Sequence, residues 1–373
     1  GVLLSFFLQD LSGPEYKAVI FGTLIIVVFG MLDDIFGIGY RIKFLAQIAA
    51  ALVLVIYGDL TINYLGSCLP EGMVIPDWVS YPLTLLVIVA VTIAVNLADG
   101  LDGLAAGIML QVFFCLTLLG TQSNSTFVSV VSLGVIGAIL GFLRFNTYPA
   151  KIFMGDTGSQ MLGFLAIALL LMISQTGGAI SPLVPLLLLG FPVFDTGVVL
   201  IGRLLRGAPP FKADQTHFHH KLLKVGFYHN EVVFLVYSFQ AIFVVCAYLL
   251  RYYNDWWLVA YCAFLVLILM APVYYADYHG IKFCRISLLD RLLKPFLRTQ
   301  VKERFLALRI LQPLLEYGLP LCFLVTTFFP AQIPIELGFL ALFLFTVLSA
   351  DLWFHSKWVS AMIRVSLYFI LPL

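Results

Sequence analysis

The chain has 373 residues, of which 62% are hydrophobic and only 11% are charged, and its formal net charge is +1. Soluble domains carry about 25% charged residues, so this composition excludes a soluble globular enzyme and a disordered protein. A net charge so close to zero also excludes a nucleic-acid binder with a broad basic surface. The six cysteines lack paired spacing and predict no disulfide framework. We therefore expect an all-α polytopic membrane protein.

Apolar runs long enough to cross a bilayer as helices recur along the whole sequence. In chain order they cover residues 18–33, 44–57, 80–98, 104–120, 126–143, 160–174, 182–201, 231–250, 256–276, 310–329, 336–350 and 358–373. With a short apolar stub at 1–9, they predict about 12 to 13 transmembrane helices. The sequence begins at Gly1 inside that stub, with no charged segment before it, and we expect an N-terminal helix to be missing.

A basic stretch divides the sequence into two parts. Residues 1–276 are the predicted transmembrane core, whereas residues 277–373 combine a basic amphipathic segment with additional spans. Within 282–309, eight Lys or Arg residues accompany leucines at helical spacing. This pattern favours an interfacial helix that lies on anionic lipid.

The loops between the predicted spans differ in charge. One set of loops carries the basic residues, at Arg41, Lys43, Arg144, Lys151, Arg203, Arg206, Lys212, Lys221 and Lys224. The opposite loops, at 59–79, 121–125 and 175–181, carry no Lys or Arg. Because Lys and Arg accumulate on the cytoplasmic side, we expect the polar motifs near the basic loops to share the cytoplasmic face.

The first such motif is a pair of adjacent carboxylates, Asp33 and Asp34, at the end of a predicted span. Neighbouring carboxylates repel each other and are best tolerated where a cation, a metal or a proton relieves the repulsion. A solvated helix end is the alternative interpretation.

The second motif places Asn96, Asp99 and Asp102 three residues apart, beside Gly100 and Gly103. On a helix, positions three apart share a face, so the sequence predicts one polar row at the membrane boundary. Hard oxygen ligands of this kind suit Mg²⁺. A calcium-like structural loop or a plain helix cap is the alternative.

The third motif lies just before the 160–174 span. Its glycines and hydroxyl residues, from Gly155 to Ser159, are expected to expose backbone N–H groups at a helix start, where phosphate binds readily. Asp156 would then be a metal ligand beside the phosphates, and an N-cap turn is the alternative.

Two Asp-Thr-Gly triplets, at Asp156 and Asp195, match the fingerprint of aspartic proteases. Their flanks are predicted membrane helices and not a soluble β fold, so a protease is disfavoured. Asp195 lies inside the 182–201 span, four residues after Phe191 in the Phe191-Pro192 pair, where a break in the helix is expected to admit it. It is interpreted either as an inward-facing active-site residue or as a polar group at a helix kink.

The fourth motif is a histidine cluster in the polar loop between Arg203 and residue 230. His217, His219 and His220 follow Arg203 and Arg206, and imidazole and guanidinium groups both donate to phosphate oxygens. A transition-metal site is the rival interpretation, although no cysteine lies nearby to complete a zinc set. A solvated loop without a role is the other alternative.

Together, the carboxylates, the glycine-rich turn and the histidine loop at one membrane face favour Mg²⁺-dependent phosphoryl transfer. A lipid phosphate and a nucleotide-linked donor would be the substrates. The non-enzyme alternative is an ion transporter, which would place its acidic residues near the membrane midplane.

The motifs also resemble those of the polyprenyl-phosphate N-acetylhexosamine-1-phosphate transferase family. The matching residues are Asp33-Asp34, Asn96-x-x-Asp99-Gly-x-Asp102-Gly-Leu, Phe153-Met-Gly-Asp156-x-Gly-Ser and His217-x-His219-His220, in the family's order. The resemblance implies that a UDP-sugar and polyprenyl phosphate react, with Mg²⁺, to give a polyprenyl-diphospho-sugar and UMP. The His-x-His-His form is similar to the N-acetylglucosamine branch, so UDP-GlcNAc is favoured over UDP-MurNAc-pentapeptide.

The resemblance also assigns roles to individual residues. It implies Asp156 and Asn96 at the metal, Asp33, Asp34, Asp99, Asp102, His217, His219 and His220 in catalysis, and Asn146, Phe153, Arg203 and Arg206 in substrate binding. The implied location is the bacterial inner membrane, with a cytoplasmic active site. The expected partners are the UDP-sugar and the polyprenyl lipid but no nucleic acid, and a homodimer stays open.

Overall fold

The computed structural model describes residues 13–70, 73–175, 180–207 and 216–281, which form helices without a strand. The helices are α1 (Pro14–Phe36), α2 (Tyr40–Leu52), α3 (Asp77–Ala98), α4 (Leu104–Gln122), α5 (Thr126–Asn146), α6 (Gly155–Ser174), α7 (Val184–Leu188), α8 (Gly190–Leu205), α9 (Phe218–Val225), α10 (His229–Leu250) and α11 (Asp255–Tyr278). A π-helical turn at Val53–Tyr57 extends α2, and Gly66–Cys68 is a 3₁₀ turn.

Eight helical segments in the described part of the chain are long and apolar enough to cross a membrane. They are α1, α2 with its π-helical turn, α3, α4, α5, α6, α10 and α11, and each matches one predicted span. The all-α polytopic membrane fold is therefore confirmed. The four described cysteines are free.

The break expected near Pro192 in the 182–201 span is present, but it lies slightly earlier in the chain. The segment is divided into α7 and α8 at Leu189. Pro192 has no N–H to donate to the carbonyl four residues earlier, at Leu188. The Gln240 side chain of α10 donates to that carbonyl instead, at 2.8 Å, so the break is compensated in the apolar interior.

The remaining predictions on organisation lie outside the described residues. These are the N-terminal stub at 1–9, the basic segment at 282–309 and the spans at 310–329, 336–350 and 358–373. The division of the chain at residue 277 therefore stays a prediction.

Helix α6 is the centre of the bundle, because every residue from Leu162 to Ser174 is buried. Glycines let neighbouring helices approach it closely, as is common in membranes. A Cβ at Gly22 of α1 would lie 2.4 Å from the Phe164 ring, and one at Gly30 would lie 2.6 Å from the backbone of Thr157. The contact at Gly30 brings the carboxyl end of α1 to the amino end of α6.

Candidate functional site

Three carboxylates meet where α1 ends and α6 begins. Asp33, Asp34 and Asp156 each offer an oxygen within 4.8 Å of the others, and we call these three residues the acid cluster. The ammonium of Lys43, near the start of α2, lies 2.6 Å from Asp33 Oδ2 and 2.7 Å from Asp156 Oδ2. A cation between two carboxylates offsets their repulsion, which is expensive near a low-dielectric interior.

Asp34 binds the first turn of α6. Its carboxylate accepts hydrogen bonds from Asp156 N at 2.9 Å, Thr157 N at 3.1 Å and Thr157 Oγ1 at 2.6 Å. A carboxylate is favourable there because it satisfies N–H groups that have no partner within the helix. The contact is possible because Gly30, one helical turn before Asp34, allows α1 to approach so closely. The expected phosphate cradle is thus corrected, since Asp34 already occupies the N–H groups of Asp156 and Thr157.

Side chains from two further helices hold Asp156 in place. Asn96, near the end of α3, donates its amide N–H to Asp156 Oδ1 at 3.1 Å and to Ser159 Oγ at 2.8 Å. Gln160 donates to Asp156 Oδ2 at 3.2 Å, and Gln47 of α2 donates to Gln160 Oε1 at 2.9 Å. Asn96 therefore lies beside Asp156, as expected, and orients its carboxylate.

The prediction of one helical row through Asn96, Asp99 and Asp102 is wrong. Helix α3 ends at Ala98, and residues 99–103 form a turn before α4, which we call the acidic turn. Gly103 has a φ of 78°, in the left-handed region that glycine adopts without strain. The glycines that were expected to leave room for a ligand also end the helix.

Three contacts fix the acidic turn. Asn146, at the end of α5, accepts from Gly103 N at 2.9 Å and donates to the Ile152 carbonyl at 2.8 Å. The hydroxyl of Tyr237 donates to the Gly103 carbonyl at 2.5 Å, and Asp102 Oδ2 accepts from the backbone N–H of residue 150 at 2.9 Å. Asn146 is buried and uses both ends of its amide on backbone groups, while its uridine contact stays a prediction.

The acidic turn and the start of α6 enclose a cavity of about 300 Å³. Its lining residues are Asn96, Asp99, Gly100, Leu101, Asp102, Asn146, Phe153, Gly155 and Asp156. The Phe153 side chain is 77% exposed and free to stack against a planar ring. Burial, assisted by the charges of Asp156 and Asp102, raises the pKa of Asp99 to about 6.

The polar loop before residue 230 contains a helix that sequence reasoning missed. This is α9, which we call the histidine helix, and His217 is its N-cap residue. His219 is buried against the acidic turn, because a Cβ at Gly100 would lie 2.2 Å from His219 Nε2. Burial and the neighbouring His220 lower the pKa of His219 to about 4, so the ring is neutral at pH 7. The rings of His219 and His220 lie 4.2 Å apart.

Arg203 and Arg206 lie at the carboxyl end of α8 and are absent from the lining of the described cavity. Their role in phosphate binding stays a prediction. Two other residues were missed as candidates, Lys43 and Gln160. Lys43 follows the Asp33-Asp34 pair by ten residues and was counted only as a loop charge.

The arrangement has the parts that a phosphate-binding site needs. Clustered carboxylates attract a divalent cation, an ammonium lies between two of them, and an exposed aromatic ring lies at the rim of a cavity. The neutral imidazole of His219 packs behind the cavity wall, against Gly100. These groups come from segments that are well separated in sequence, from Asp33 to His219, yet they meet at one end of the helix bundle.

The chain is similar in sequence to known membrane transferases. Residues 16–174 match the family model of glycosyl transferase family 4. The chain is 37% identical over 254 residues to a Bacillus subtilis protein named probable undecaprenyl-phosphate N-acetylglucosaminyl 1-phosphate transferase. The aligned region covers 68% of this chain and 70% of that protein. An Escherichia coli K12 undecaprenyl-phosphate alpha-N-acetylglucosaminyl 1-phosphate transferase is 29% identical over 241 residues, or 63% of this chain and 66% of that protein.

A mycobacterial relative extends the comparison to a different lipid. The decaprenyl-phosphate N-acetylglucosaminephosphotransferase of Mycobacterium leprae is 33% identical over 249 residues. The match covers 60% of this chain and 62% of that protein. The chain thus spans about two thirds of the length of these relatives, and the names of all three contain a polyprenyl phosphate and N-acetylglucosamine.

Proposed function

Because this chain belongs to glycosyl transferase family 4, we propose that it transfers N-acetylglucosamine 1-phosphate from UDP-GlcNAc to undecaprenyl phosphate and releases UMP. The names of its relatives in B. subtilis and E. coli support this activity. The observation that carries the proposal is the meeting of the acid cluster, the acidic turn and His219 beside one cavity. The product would begin a cell-envelope polysaccharide.

In the proposed reaction, a phosphate oxygen of undecaprenyl phosphate attacks the phosphorus atom that carries the sugar. The bond from that phosphorus to the bridging oxygen breaks, and UMP leaves with this oxygen. Such a transfer depends on aligning the two phosphates and on opposing their negative charge. The protein has to supply both, because the reactants repel each other.

The acid cluster fits Mg²⁺, which prefers carboxylate oxygens and substrate phosphates. Asp33 and Asp156 would hold the ion with Asn96 close by, because Asp34 is already engaged by the first turn of α6. Bound there, Mg²⁺ would supply positive charge against the diphosphate. The position of the Lys43 ammonium between the same two carboxylates supports this fit, since it indicates a site that attracts cations.

The cavity wall suits the nucleotide donor. Phe153 is exposed for stacking on uracil, and Asp99 and Asp102 lie on the turn that faces Asp156. His219 is neutral at pH 7, so its ring N–H can donate one hydrogen bond to a phosphate or sugar oxygen without adding charge.

The lipid acceptor would approach at the ends of α1 and α2. Asp33 and Lys43 lie where these membrane-spanning helices end and begin, so an acceptor held in the bilayer can present its phosphate to them. We assign Asp33 to orienting this phosphate and Lys43 to pairing with its charge. The basic loops on this side support a cytoplasmic site, where nucleotide sugars are available.

The experiment that tests the proposal measures UMP release by purified protein in lipid nanodiscs. We expect release only when UDP-GlcNAc, undecaprenyl phosphate and Mg²⁺ are all present, and we expect EDTA to stop it. Parallel reactions with UDP-GalNAc and UDP-MurNAc-pentapeptide measure donor selectivity. UMP release from UDP-MurNAc-pentapeptide alone would show that the chain is a phospho-MurNAc-pentapeptide transferase and not a GlcNAc-1-phosphate transferase. No release from any donor would overturn the transferase proposal.

Geometry disfavours the ion-transporter alternative. The carboxylates of the acid cluster lie at helix ends, whereas a transport pathway places its charged groups near the middle of the membrane. Vesicles that contain the protein but conduct no ions would agree with this assignment.

A further inference from the structure

Asp195 of α8 is a buried carboxylate that the proposed reaction does not use. It is 3% exposed and is absent from the lining of the described cavity. One oxygen, Oδ2, lies 3.0 Å from His217 Nδ1, and the other, Oδ1, accepts from the backbone N–H of Phe218 at 2.8 Å. A buried carboxylate is costly unless it is hydrogen-bonded, and here each oxygen has a partner in the histidine helix.

We propose that Asp195 is a positioning residue of the transferase reaction, which fixes the tautomer of His217 and the direction of the histidine helix. The catalytic part of this inference, an effect on the rate of transfer, rests on the proposed function. Its structural part concerns only Asp195, His217 and Phe218, and can be measured on its own.

The tautomer follows from hydrogen-bond chemistry. An ionised carboxylate has no proton to donate, so the His217 nitrogen that faces it, Nδ1, carries the proton. Whenever the ring is neutral, its lone pair is then on Nε2, the nitrogen on the other side of the ring. Carboxylates behind histidines select tautomers in this way in metal and catalytic sites.

The second contact sets the direction of the histidine helix. Phe218 is its first residue, so the bond from Asp195 to the Phe218 N–H fixes the point at which the helix begins. His219 is the next residue and packs on Gly100 of the acidic turn. The His217 and His219 rings are almost parallel, with an interplanar angle of 10° and centroids 6.0 Å apart. One carboxylate therefore orients two imidazoles.

Other contacts also anchor the histidine helix. The effect of Asp195 on histidine orientation can therefore be measured apart from any effect on stability. The Phe218 ring is fully buried and packs on Phe191, with ring centroids 5.7 Å apart. Lys221 pairs with Asp277 of α11. Because these contacts would persist without the charge on Asp195, we expect its replacement to change the histidines more than the fold.

The Asp195→Asn variant tests the proposal because it keeps the size of the side chain. Its carbonyl can still accept from the Phe218 N–H, but its NH₂ group donates to His217 Nδ1 and so moves the ring proton to Nε2. We expect kcat to fall about 10- to 100-fold with a smaller change in KM for UDP-GlcNAc. We also expect an unchanged melting temperature.

The tautomer is measured directly by ¹⁵N NMR of protein labelled at histidine. In the wild type we expect the His217 signal of a protonated Nδ1, and in Asp195→Asn that of a protonated Nε2. His217→Gln identifies the signal among those of the six histidines. Asp277→Asn is the matched control, because it breaks the Lys221 pair on the same helix and leaves the His217 tautomer unchanged.

A double-mutant cycle completes the test. If Asp195 acts through His217, then Asp195→Asn causes little further loss of kcat in the His217→Gln background. Fully multiplicative losses, an unchanged kcat in the single variant, or an unchanged His217 tautomer would each overturn the proposal. If the wild type releases no UMP from any donor, the proposed function fails, and the nitrogen signals still decide whether Asp195 fixes the tautomer.

Discussion

Two carboxylates at opposite ends of the bundle, Asp156 and Asp255, differ in their surroundings although each lies in the first turn of a membrane-spanning helix. Asp255 is 6% exposed and accepts from Ser67 N at 2.6 Å, from Ser67 Oγ at 2.9 Å and from the Ser181 hydroxyl. All these donors are neutral. Asp156 lies instead among other carboxylates and an ammonium, and it lines a cavity.

This difference distinguishes a carboxylate that stabilises the fold, Asp255, from one suited to binding a cation or a substrate, Asp156. Neutral donors that surround a carboxylate satisfy it and leave little capacity for a ligand, as at Asp255. Asp156 instead has charged neighbours, pairs with the Lys43 ammonium and lines a cavity, so that a cation can reach it. Position at a helix start is therefore not a sufficient sign of function, whereas the charge and enclosure of the neighbours distinguish the two cases.

The substitution Asp156→Asn is expected to have the largest effect. It removes the negative charge that faces Lys43 and the proposed Mg²⁺ site, and we expect kcat/KM for UMP release to fall by about 1,000-fold or more, or about 4 kcal/mol. The protein should still fold, since Asn can keep the hydrogen bond with Asn96. Turnover within tenfold of the wild type would show that Asp156 has no direct part in the reaction, and Asp156 would then not differ in function from Asp255.

A substitution at Gly100 sharpens the comparison by altering the cavity without removing charge. A Cβ at this position would lie 2.2 Å from His219 Nε2, so Gly100→Ala must displace the imidazole or the acidic turn. We expect kcat/KM to fall about 10- to 100-fold, in line with the loss of a positioned catalytic contact.

Gly197→Ala is the matched control for this experiment. A Cβ at Gly197, in α8, would meet no atom within 4 Å, so we expect activity close to that of the wild type. Equal activity of the two variants would show that the contact between Gly100 and the histidine helix has no part in turnover.

Much of this architecture could be predicted from the sequence, because apolar run lengths fix the spans and loop charges place the motifs on one side. The location of Asp33, Asp99 and Asp156 at one end of the bundle agrees with that reasoning. The prediction of a helical row from Asn96 to Asp102 was wrong. Spacing of three residues suits a helix, but Gly100 and Gly103 favour a turn. Local periodicity alone does not resolve this conflict.

The contacts that orient the site could not be read from the sequence. Asp195 and His217 are 22 residues apart and meet because the histidine helix packs back against α8. Lys43 reaches Asp156 across 113 residues through the packing of α1, α2 and α6. Pairings of this kind depend on the tertiary path of the chain, for which one sequence carries no local signal.

Asp255→Asn is expected to have the smallest effect on turnover, and it tests the other side of the comparison. The amide offers one acceptor oxygen where Ser67 N, Ser67 Oγ and Ser181 Oγ all donate, so at least one donor loses its partner. A buried donor without a partner costs about 1–3 kcal/mol, and we expect a melting temperature lower by roughly 5 °C. UMP release per folded molecule should stay within about twofold of the wild type, since the affected loops lie at the end of the bundle away from the cavity. A large loss of turnover with unchanged stability would mean that neutral, enclosing donors do not identify a structural carboxylate in this fold.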